Sequence, residues 1–242
     1  SERVKLKNSL ILEKKKRLLE QEINEEKLRF FTSLSHELKT PLTLILAPVE
    51  DLFHQIKSPS QRSKLALIKK NATYLYQLIG DLLEFRKTET GMSHLLVGEY
   101  DLSMYLEQWI QNYQPLAKKK QIQLTYSFSE NNLMVQFDFE KLQIIINNLV
   151  SNAIKFSPEG SIIEVASVME NKEVRLTVKD QGIGISKTDQ KQLFERFFRG
   201  QNATHIQGTG LGLNIVLKYV DLMAGRIEVE SKENKGRRAV RI

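Results

Sequence analysis

From residue 1 to about residue 56 almost nothing punctuates the sequence, and that run constrains the fold more than any other feature. Apolar residues recur at helical spacing through Phe30, Leu34, Leu38, Ile45, Val49, Leu52 and Ile56. Before them Val4, Ile11 and Leu18 stand seven apart among charges, the pattern of one seam of a short coiled coil. At about 1.5 Å per residue, fifty-odd helical residues span about 80 Å, too long for the interior of a small globule. Such a helix must pair with something. Lys57-Ser58-Pro59-Ser60 then breaks the pattern, with Ser58 at an N-cap and Pro59 at the first helical position. A second amphipathic helix carries Leu65, Ile68, Ala72, Leu75, Ile79, Leu82 and Phe85. So short a loop makes the two helices antiparallel. One hairpin cannot cover both apolar stripes, so the expectation is a four-helix bundle made by two chains.

Thr90-Gly91-Met92-Ser93 marks a boundary beyond which strands and helices are mixed. Residues 102–119 read as helix, 122–128 and 134–137 as strands, and 140–156 as a strongly apolar helix. Strands follow at 162–168 and 174–178, ending at the turn Asp180-Gln181-Gly182. A short helix is expected at 188–198, a longer one at 211–223 ending at Gly225, and a hairpin over 226–242. Grouped rather than strictly alternating elements predict an α+β fold: a two-layer sandwich, not a doubly wound parallel sheet.

Of 242 residues, 41% are hydrophobic and 27% charged, enough to bury a core. No stretch approaches the roughly 18 apolar residues of a membrane span, and the start lacks the apolar segment of a secretory signal. Without cysteine there are no disulfides and no thiolate metal sites, which fits a reducing compartment. The chain opens on Ser1 and closes on a strand-like Ala239-Val240-Arg241-Ile242, so a piece of a longer protein is expected. The +7 charge suits nucleic acid, nucleotides and acidic proteins alike. Its only runs, Lys14-Lys15-Lys16-Arg17 and Lys118-Lys119-Lys120, lie on expected helices and read as solvated faces, so no nucleic acid is expected as a partner.

Four constellations carry chemistry. In Phe31-Thr32-Ser33-Leu34-Ser35-His36-Glu37-Leu38-Lys39-Thr40-Pro41-Leu42, His36 sits mid-helix beside a carboxylate and near a helix-bending proline. A neutral imidazole is a competent nucleophile, and Glu37 orients it if its side chain turns back; a surface His–Glu pair is the plain alternative. On the apolar helix, Asn148, Asn152 and Lys155 fall four and three apart and share one face. Amides are poor helix formers. Their oxygens suit Mg²⁺ that already carries phosphate, and the lysine adds a point charge; structural amides bonded to backbone are the alternative. Asp180-Gln181-Gly182-Ile183-Gly184-Ile185 follows a strand directly. Its glycines let backbone approach a flat ligand, and a buried Asp accepts from an exocyclic amine, which adenine has and guanine lacks. Gly208-Thr209-Gly210-Leu211-Gly212-Leu213 opens the last long helix, where free N–H groups cradle phosphate. It is neither a Rossmann fingerprint nor a Walker loop. Between the last two lie Phe194, Phe197 and Phe198 with Arg196 and Arg199, then polar residues 201–207 that fit a mobile lid.

Together and in this order, the sequence resembles the cytoplasmic core of a two-component sensor histidine kinase. His36-Glu37-Leu38-Lys39-Thr40-Pro41 is similar to the family's H box, residues 148–156 to its N box, and 180–185 to its first glycine box. Residues 194–198 resemble the F box and 208–212 the second glycine box. The resemblance covers about residues 30–242, with residues 1–29 similar to the helical linker that delivers the signal. The H box wording is similar to large hybrid kinases of gut Bacteroidetes. One departure is Gly236-Arg237-Arg238-Ala239, where the family has a glycine, a small hydroxyl residue and an aromatic strand, which puts the last strand in question.

The resemblance implies a dimerisation and histidine-phosphotransfer domain over 30–95 and a Bergerat-like (GHKL-type) ATP-binding domain over 96–242, of the kind shared with gyrase and MutL. His36 would take the γ-phosphoryl of Mg·ATP and pass it to an aspartate of a receiver domain, fused or separate. Glu37 would be general base or orienting group, Thr40 would orient water in receiver dephosphorylation, and Pro41 would be a pivot for helix bending. Asn152 with Asn148 would hold Mg²⁺, Lys155 would contact phosphate, Phe156 would lie against the nucleotide and Asp180 would read adenine. Gly182, Gly184, Ile185, Phe194, Arg199, Gly208, Thr209, Gly210, Leu211 and Gly212 would complete the ATP site. The implied protein is a homodimer, the cytoplasmic portion of an inner-membrane-anchored sensor whose present stretch touches no membrane. Two rivals stand beside it. A GHKL-type ATPase clamp would place a water-activating glutamate one turn before the metal asparagine, where this chain has Asn148. A nucleotide-binding dimeric adaptor would have no need of Asn152, Asp180 and the three-glycine box together.

Overall fold

The computed structural model describes residues 2–90, 93–130, 132–171, 173–203, 206–232 and 237–241, with backbone alone over 2–10, 21, 54 and 237–241. Gly91 and Met92 of the expected boundary, Thr204 and His205 of the expected lid, Gly236 of the closing strand and the Val4 side chain lie outside the described residues. Two compact units divide the chain, Ser1–Ser93 and His94–Ile242.

The first unit is two helices, α1 (Glu2–Gln55) and α2 (Pro59–Glu89). No glycine precedes Gly80, and ion pairs one turn apart, Glu13–Arg17 at 2.6 Å and Glu25–Arg29 at 3.4 Å, have the acid on the N-terminal side, the favourable order. Pro41 and Pro48 lie inside α1, so the carbonyls four residues earlier lose their usual N–H. Ser58 takes the N-cap position of α2 without a side-chain capping bond, and Pro59 supplies the preset first turn. The cross-helix contacts show an antiparallel hairpin: Arg62 over Phe53 at 5.0 Å, Lys69 paired with Glu50, Lys39 over Tyr76 at 5.2 Å and Arg86 over Phe31 at 4.5 Å. Among the described side chains only Ser35, Val49, Ala72 and Phe85 are fully buried, while Leu12, Phe30, Leu44 and Leu67 stand in solvent.

The second unit is an α/β sandwich. Strands β1 (Val97–Asp101), β2 (Gln123–Phe128), β3 (Met134–Asp138), β4 (Ile162–Glu170), β5 (Glu173–Asp180), β6 (Glu228–Lys232) and β7 (Arg237–Arg241) form two sheets. Among the described residues β1 pairs only with β3; the main sheet runs β2-β4-β5-β7-β6, parallel at β2–β4 and antiparallel elsewhere. Helices α3 (Leu102–Gln111), α4 (Gln114–Lys119), α5 (Phe139–Phe156), α6 (Lys187–Gln190) and α7 (Gly212–Leu222) complete it. Strand alternation sends Leu124, Ile163, Val165, Leu176 and Val178 inward and leaves Glu164 and Lys179 outside. α5 packs on α3, α7 and β5, contributing Ile145, Ile146 and Val150, all fully buried. Its start is fixed by Asp138, whose carboxylate accepts from Lys141 N at 3.0 Å and pairs with Lys141 Nζ at 2.8 Å. Among the described residues, no helix is long and apolar enough to cross a membrane.

Four expectations are corrected. The helix expected over 102–119 is two, because Pro115 starts a new helix and biases Gln114 out of the preceding one. The helix expected over 188–198 ends at Gln190; turns follow, and Phe197 takes a left-handed φ of 59°. β1 was absent from the sequence reading, since Val97-Gly98-Glu99-Tyr100-Asp101 has no run of β-branched residues and gains its strand form from β3. The basic run 118–120 is not all solvated: Lys118 and Lys119 are exposed, but Lys120 is half-buried. The closing strand in question does form, with β7 seated between β5 and β6.

Candidate functional site

In the first unit, His36, Glu37 and Thr40 are all exposed on α1. Thr40 Oγ1 donates to the His36 carbonyl at 3.0 Å, and Thr43 Oγ1 donates to that of Lys39 at 3.0 Å. These hydroxyls brace the backbone on both sides of Pro41, where the helix ladder is interrupted. Glu37 accepts from Ser33 Oγ at 3.3 Å, so its carboxylate leans one turn toward the N-terminus. His36 is therefore exposed on the helix surface, the condition for a nucleophile that meets a partner from outside.

In the second unit the four remaining motifs converge. Asp180, at the end of β5, is buried and accepts the Gly182 amide at 2.8 Å through Oδ1. Ile183 N reaches the carbonyl of Phe156 at 3.3 Å, and a Cβ on Gly182 would stand 2.9 Å from the same oxygen. Only glycine lets this turn lie against the end of α5. On the face of α5, Asn148 Nδ2 donates to the Ile144 carbonyl at 2.9 Å, which turns Oδ1 toward Gly212, where a Cβ would collide with it. Lys155 Nζ lies against Gly208 in the same way and 4.7 Å from the Phe156 ring centroid. The half-buried Asn152 amide has no hydrogen-bond partner among the described residues, unlike Asn148.

The stretch between the glycine motifs is tied in at both ends. Gly210 has φ +73°, and a Cβ there would come within 2.8 Å of Phe197 Cα. Asn214 Nδ2 of α7 donates to the Phe194 carbonyl at 2.8 Å. Thr209 Oγ1 accepts from Leu211 N at 3.2 Å, and Leu211 is wholly buried as the anchor of α7. Arg199 donates to its own loop, to the carbonyls of Ala203 at 3.1 Å and Ile206 at 2.6 Å. Asn202 Nδ2 reaches the Gly184 carbonyl at 3.2 Å, Gln201 N reaches buried Asp189 at 3.3 Å, and Ile185 N donates to Ser231 Oγ at 3.0 Å. Asn202, Asp189, Asn214 and Lys120 escaped the sequence reading. Only Asn214 carried a signal, as a lone amide in the apolar run 211–216.

The two glycine loops, Lys155 and the Asn148 and Asn152 amides thus lie together along one face of α5, a set of groups suited to phosphate and a hard cation. Two family models match the two units: the His Kinase A (phospho-acceptor) domain over residues 26–91 and the Histidine kinase-, DNA gyrase B-, and HSP90-like ATPase over 137–242. The chain belongs to the sensor histidine kinases. This histidine kinase core is 33% identical over 240 residues to Histidine kinase P4 of Formosa agariphila, covering 97% of the chain and 18% of that protein. It is 36% identical over 222 residues to Sensor histidine kinase TmoS of Ectopseudomonas mendocina, covering 88% and 22%. The chain thus spans about a fifth of the length of these curated relatives. Among solved structures it is similar to full-length ShkA in complex with AMPPNP, at 26% identity and a TM-score of 0.69 over 88% of this chain and 45% of that one. The catalytic domain of histidine kinase ThkA matches at 28% identity and a TM-score of 0.54, over 61% of this chain and 95% of that one. The ATPase family model over residues 137–242 supports ATP binding by the second unit.

Proposed function

We propose that this core transfers the γ-phosphoryl group of ATP to His36 and then to an aspartate of a receiver domain, fused or separate. Residues 1–29 relay the signal, 30–95 form the dimerising phosphotransfer domain and 96–242 bind the nucleotide. The observation that carries the reading is the convergence on α5: an unpartnered Asn152 amide, Lys155 one turn on, and both glycine loops packed against that same end. Asn152 and Asn148 offer amide oxygens to Mg²⁺, which when bound neutralises charge on the transferring phosphoryl group. Lys155 and the amides of 208–212 hold the phosphates, with Thr209 and Leu211 setting that loop. Asp180 accepts from the adenine amine, with Gly182, Gly184 and Ile185 lining the base. Phe156 and Phe194 flank the nucleotide, and Arg199 organises the lid.

In the transfer, a His36 ring nitrogen attacks the γ-phosphorus in line as the bond to the bridging oxygen breaks and ADP leaves. Glu37 orients the ring or takes its proton, and Thr40 positions water when the receiver is dephosphorylated. His36 and the nucleotide belong to different units, so transfer requires the two to meet, and Pro41 gives α1 a place to bend. We read the chain as one protomer of a homodimer and as the cytoplasmic part of an inner-membrane sensor. Direct ATP hydrolysis has less support, since the side chain one turn before Asn152 is Asn148 and not a carboxylate.

The experiment is incubation with γ-labelled Mg·ATP beside His36→Gln. The expected product is an acid-labile, alkali-stable label that disappears in the variant. Free phosphate released equally by both proteins, with no labelled protein, would overturn the reading in favour of an ATPase.

A further inference from the structure

An α-helix leaves its last four carbonyls without intrahelical partners, and at the end of α5 those belong to residues 153–156. Each can be traced. Ser157 N returns to the Ala153 carbonyl at 3.1 Å, and Ile183 N reaches that of Phe156 at 3.3 Å. The remaining two accept from one side chain: Lys120 Nζ donates to the carbonyl of Ile154 at 2.9 Å and of Lys155 at 3.2 Å, and adds that of Ser157 at 3.0 Å. An ammonium has three protons, so all three are used. The charge sits at the negative end of the helix dipole.

Lys120 is held in place from behind. It is the C-cap of α4, where Ile122 N bonds the Ala117 carbonyl and Gln121 N that of Lys118, both at 2.9 Å. Gln121 takes φ 57°, completing a Schellman motif without glycine. The backbone of Lys120 is thereby fixed, and its stem spans from α4 to the end of α5. Lys118 and Lys119, next to it in sequence, are exposed.

We propose that Lys120 is a positioning residue of the nucleotide site. It touches no part of the implied nucleotide. By holding the last turn of α5 it sets the direction of Lys155 and Phe156 and the height of the Phe156 carbonyl beneath Gly182. A charge at this end stabilises the helix, and the three bonds of the ammonium also lock the turn from which Lys155 reaches Gly208. The proposal rests on reading this site as the ATP site.

The test is calorimetric titration of the whole chain with Mg·ATP, well below its unfolding temperature, for wild type, Lys120→Met and Lys119→Met. Lys119→Met should bind as wild type does. Lys120→Met should bind on the order of ten-fold more weakly, the scale set by loss of an outer positioning partner. In autophosphorylation its rise in KM should exceed its fall in kcat. A merely structural lysine would lower the melting temperature and leave both binding and KM within two-fold, and that result overturns the proposal while the ATP reading stands. Wild type that binds no Mg·ATP removes the ATP reading and the proposal together. Should Lys120→Met not fold, Lys120→Gln, which keeps N–H donors without the charge, decides by the same titration. Failure of both to fold would make Lys120 a residue of the fold and overturn its positioning role.

Discussion

The two units are built to opposite rules. The hairpin of α1 and α2 leaves Leu12 and Leu44 about seven-tenths exposed (71% and 70%), with Phe30 and Leu67 not far behind. The ATP-binding unit encloses Leu106, Ile110, Ile145, Ile146 and Val220 completely. A helix pair with so few buried side chains cannot offset the entropy of ordering fifty-four residues in one helix. A sandwich with a closed core can. The lesson is that the second unit encloses a core of its own, whereas the first leaves an apolar surface that the homodimer proposed above would cover with a second copy.

Dilution breaks the comparison most decisively. In a denaturant titration followed by helix signal, the hairpin transition should move with protein concentration, by about 1.4 kcal/mol per ten-fold, while that of residues 94–242 should stay put. A hairpin transition independent of concentration, in a protein that sediments as a monomer, would sink the idea that a second copy completes it. Next in size is the core of the sandwich. Trp109 is buried against Phe139 at 5.2 Å and stacks with Tyr105 at 6.0 Å. Trp109→Ala should cost about 3–5 kcal/mol of the second unit's stability and leave the hairpin's midpoint unchanged. Equal loss in both transitions would show that the two units fold as one.

The same contrast governs what could be read from sequence. The hairpin was legible almost entirely, because uninterrupted 3.6-residue periodicity and one proline-marked break leave few alternatives. The sandwich was legible where an element carries its own signal, as α5 does with an apolar face and as 211–223 does with a glycine-marked start. It was not legible where form is imposed from elsewhere. β1 is a strand because β3 lies beside it, and residues 191–198 turn because Gly210 packs on Phe197. The motifs of the site could be named from local spacing, yet their supports could not. Lys120 and Ser157 are 37 residues apart, Asp189 and Gln201 are 12, and no periodicity encodes a bond across such distances.

Within the second unit, the site should be separable from the fold. Asn152 is only half-buried and its amide has no protein partner among the described residues, so replacing it removes nothing the core relies on. Asn152→Ala should weaken Mg·ATP binding on the order of a hundred-fold, as loss of a metal's immediate support does, with less than 0.5 kcal/mol change in unfolding at roughly neutral pH, the usual scale for substitutions away from the core. Undiminished binding in calorimetry would remove Asn152 from the nucleotide site. The hairpin transition should keep its midpoint.

The smallest effect is an acid limb that belongs to the second unit alone. Burial by itself would push the Asp138 carboxyl up. Hydrogen bonds from Lys141 Nζ, the Leu96 N–H and the Lys141 N–H, with the Lys141 charge, outweigh it and hold the group below the ordinary carboxylate value. A carboxyl with a depressed folded pKa contributes stability that is complete above its unfolded value near 3.9 and is lost as pH falls through the folded one. Below about pH 4 the stability of residues 94–242 should therefore fall, with up to about 1.4 kcal/mol per pH unit from this group. Asp138→Asn should flatten that limb. The slope is the quantity to read, since the variant also leaves the Lys141 ammonium without its buried counter-charge and lowers stability at every pH. An acid limb equally steep in Asp138→Asn would assign it to other carboxylates and reduce Asp138 to an N-cap.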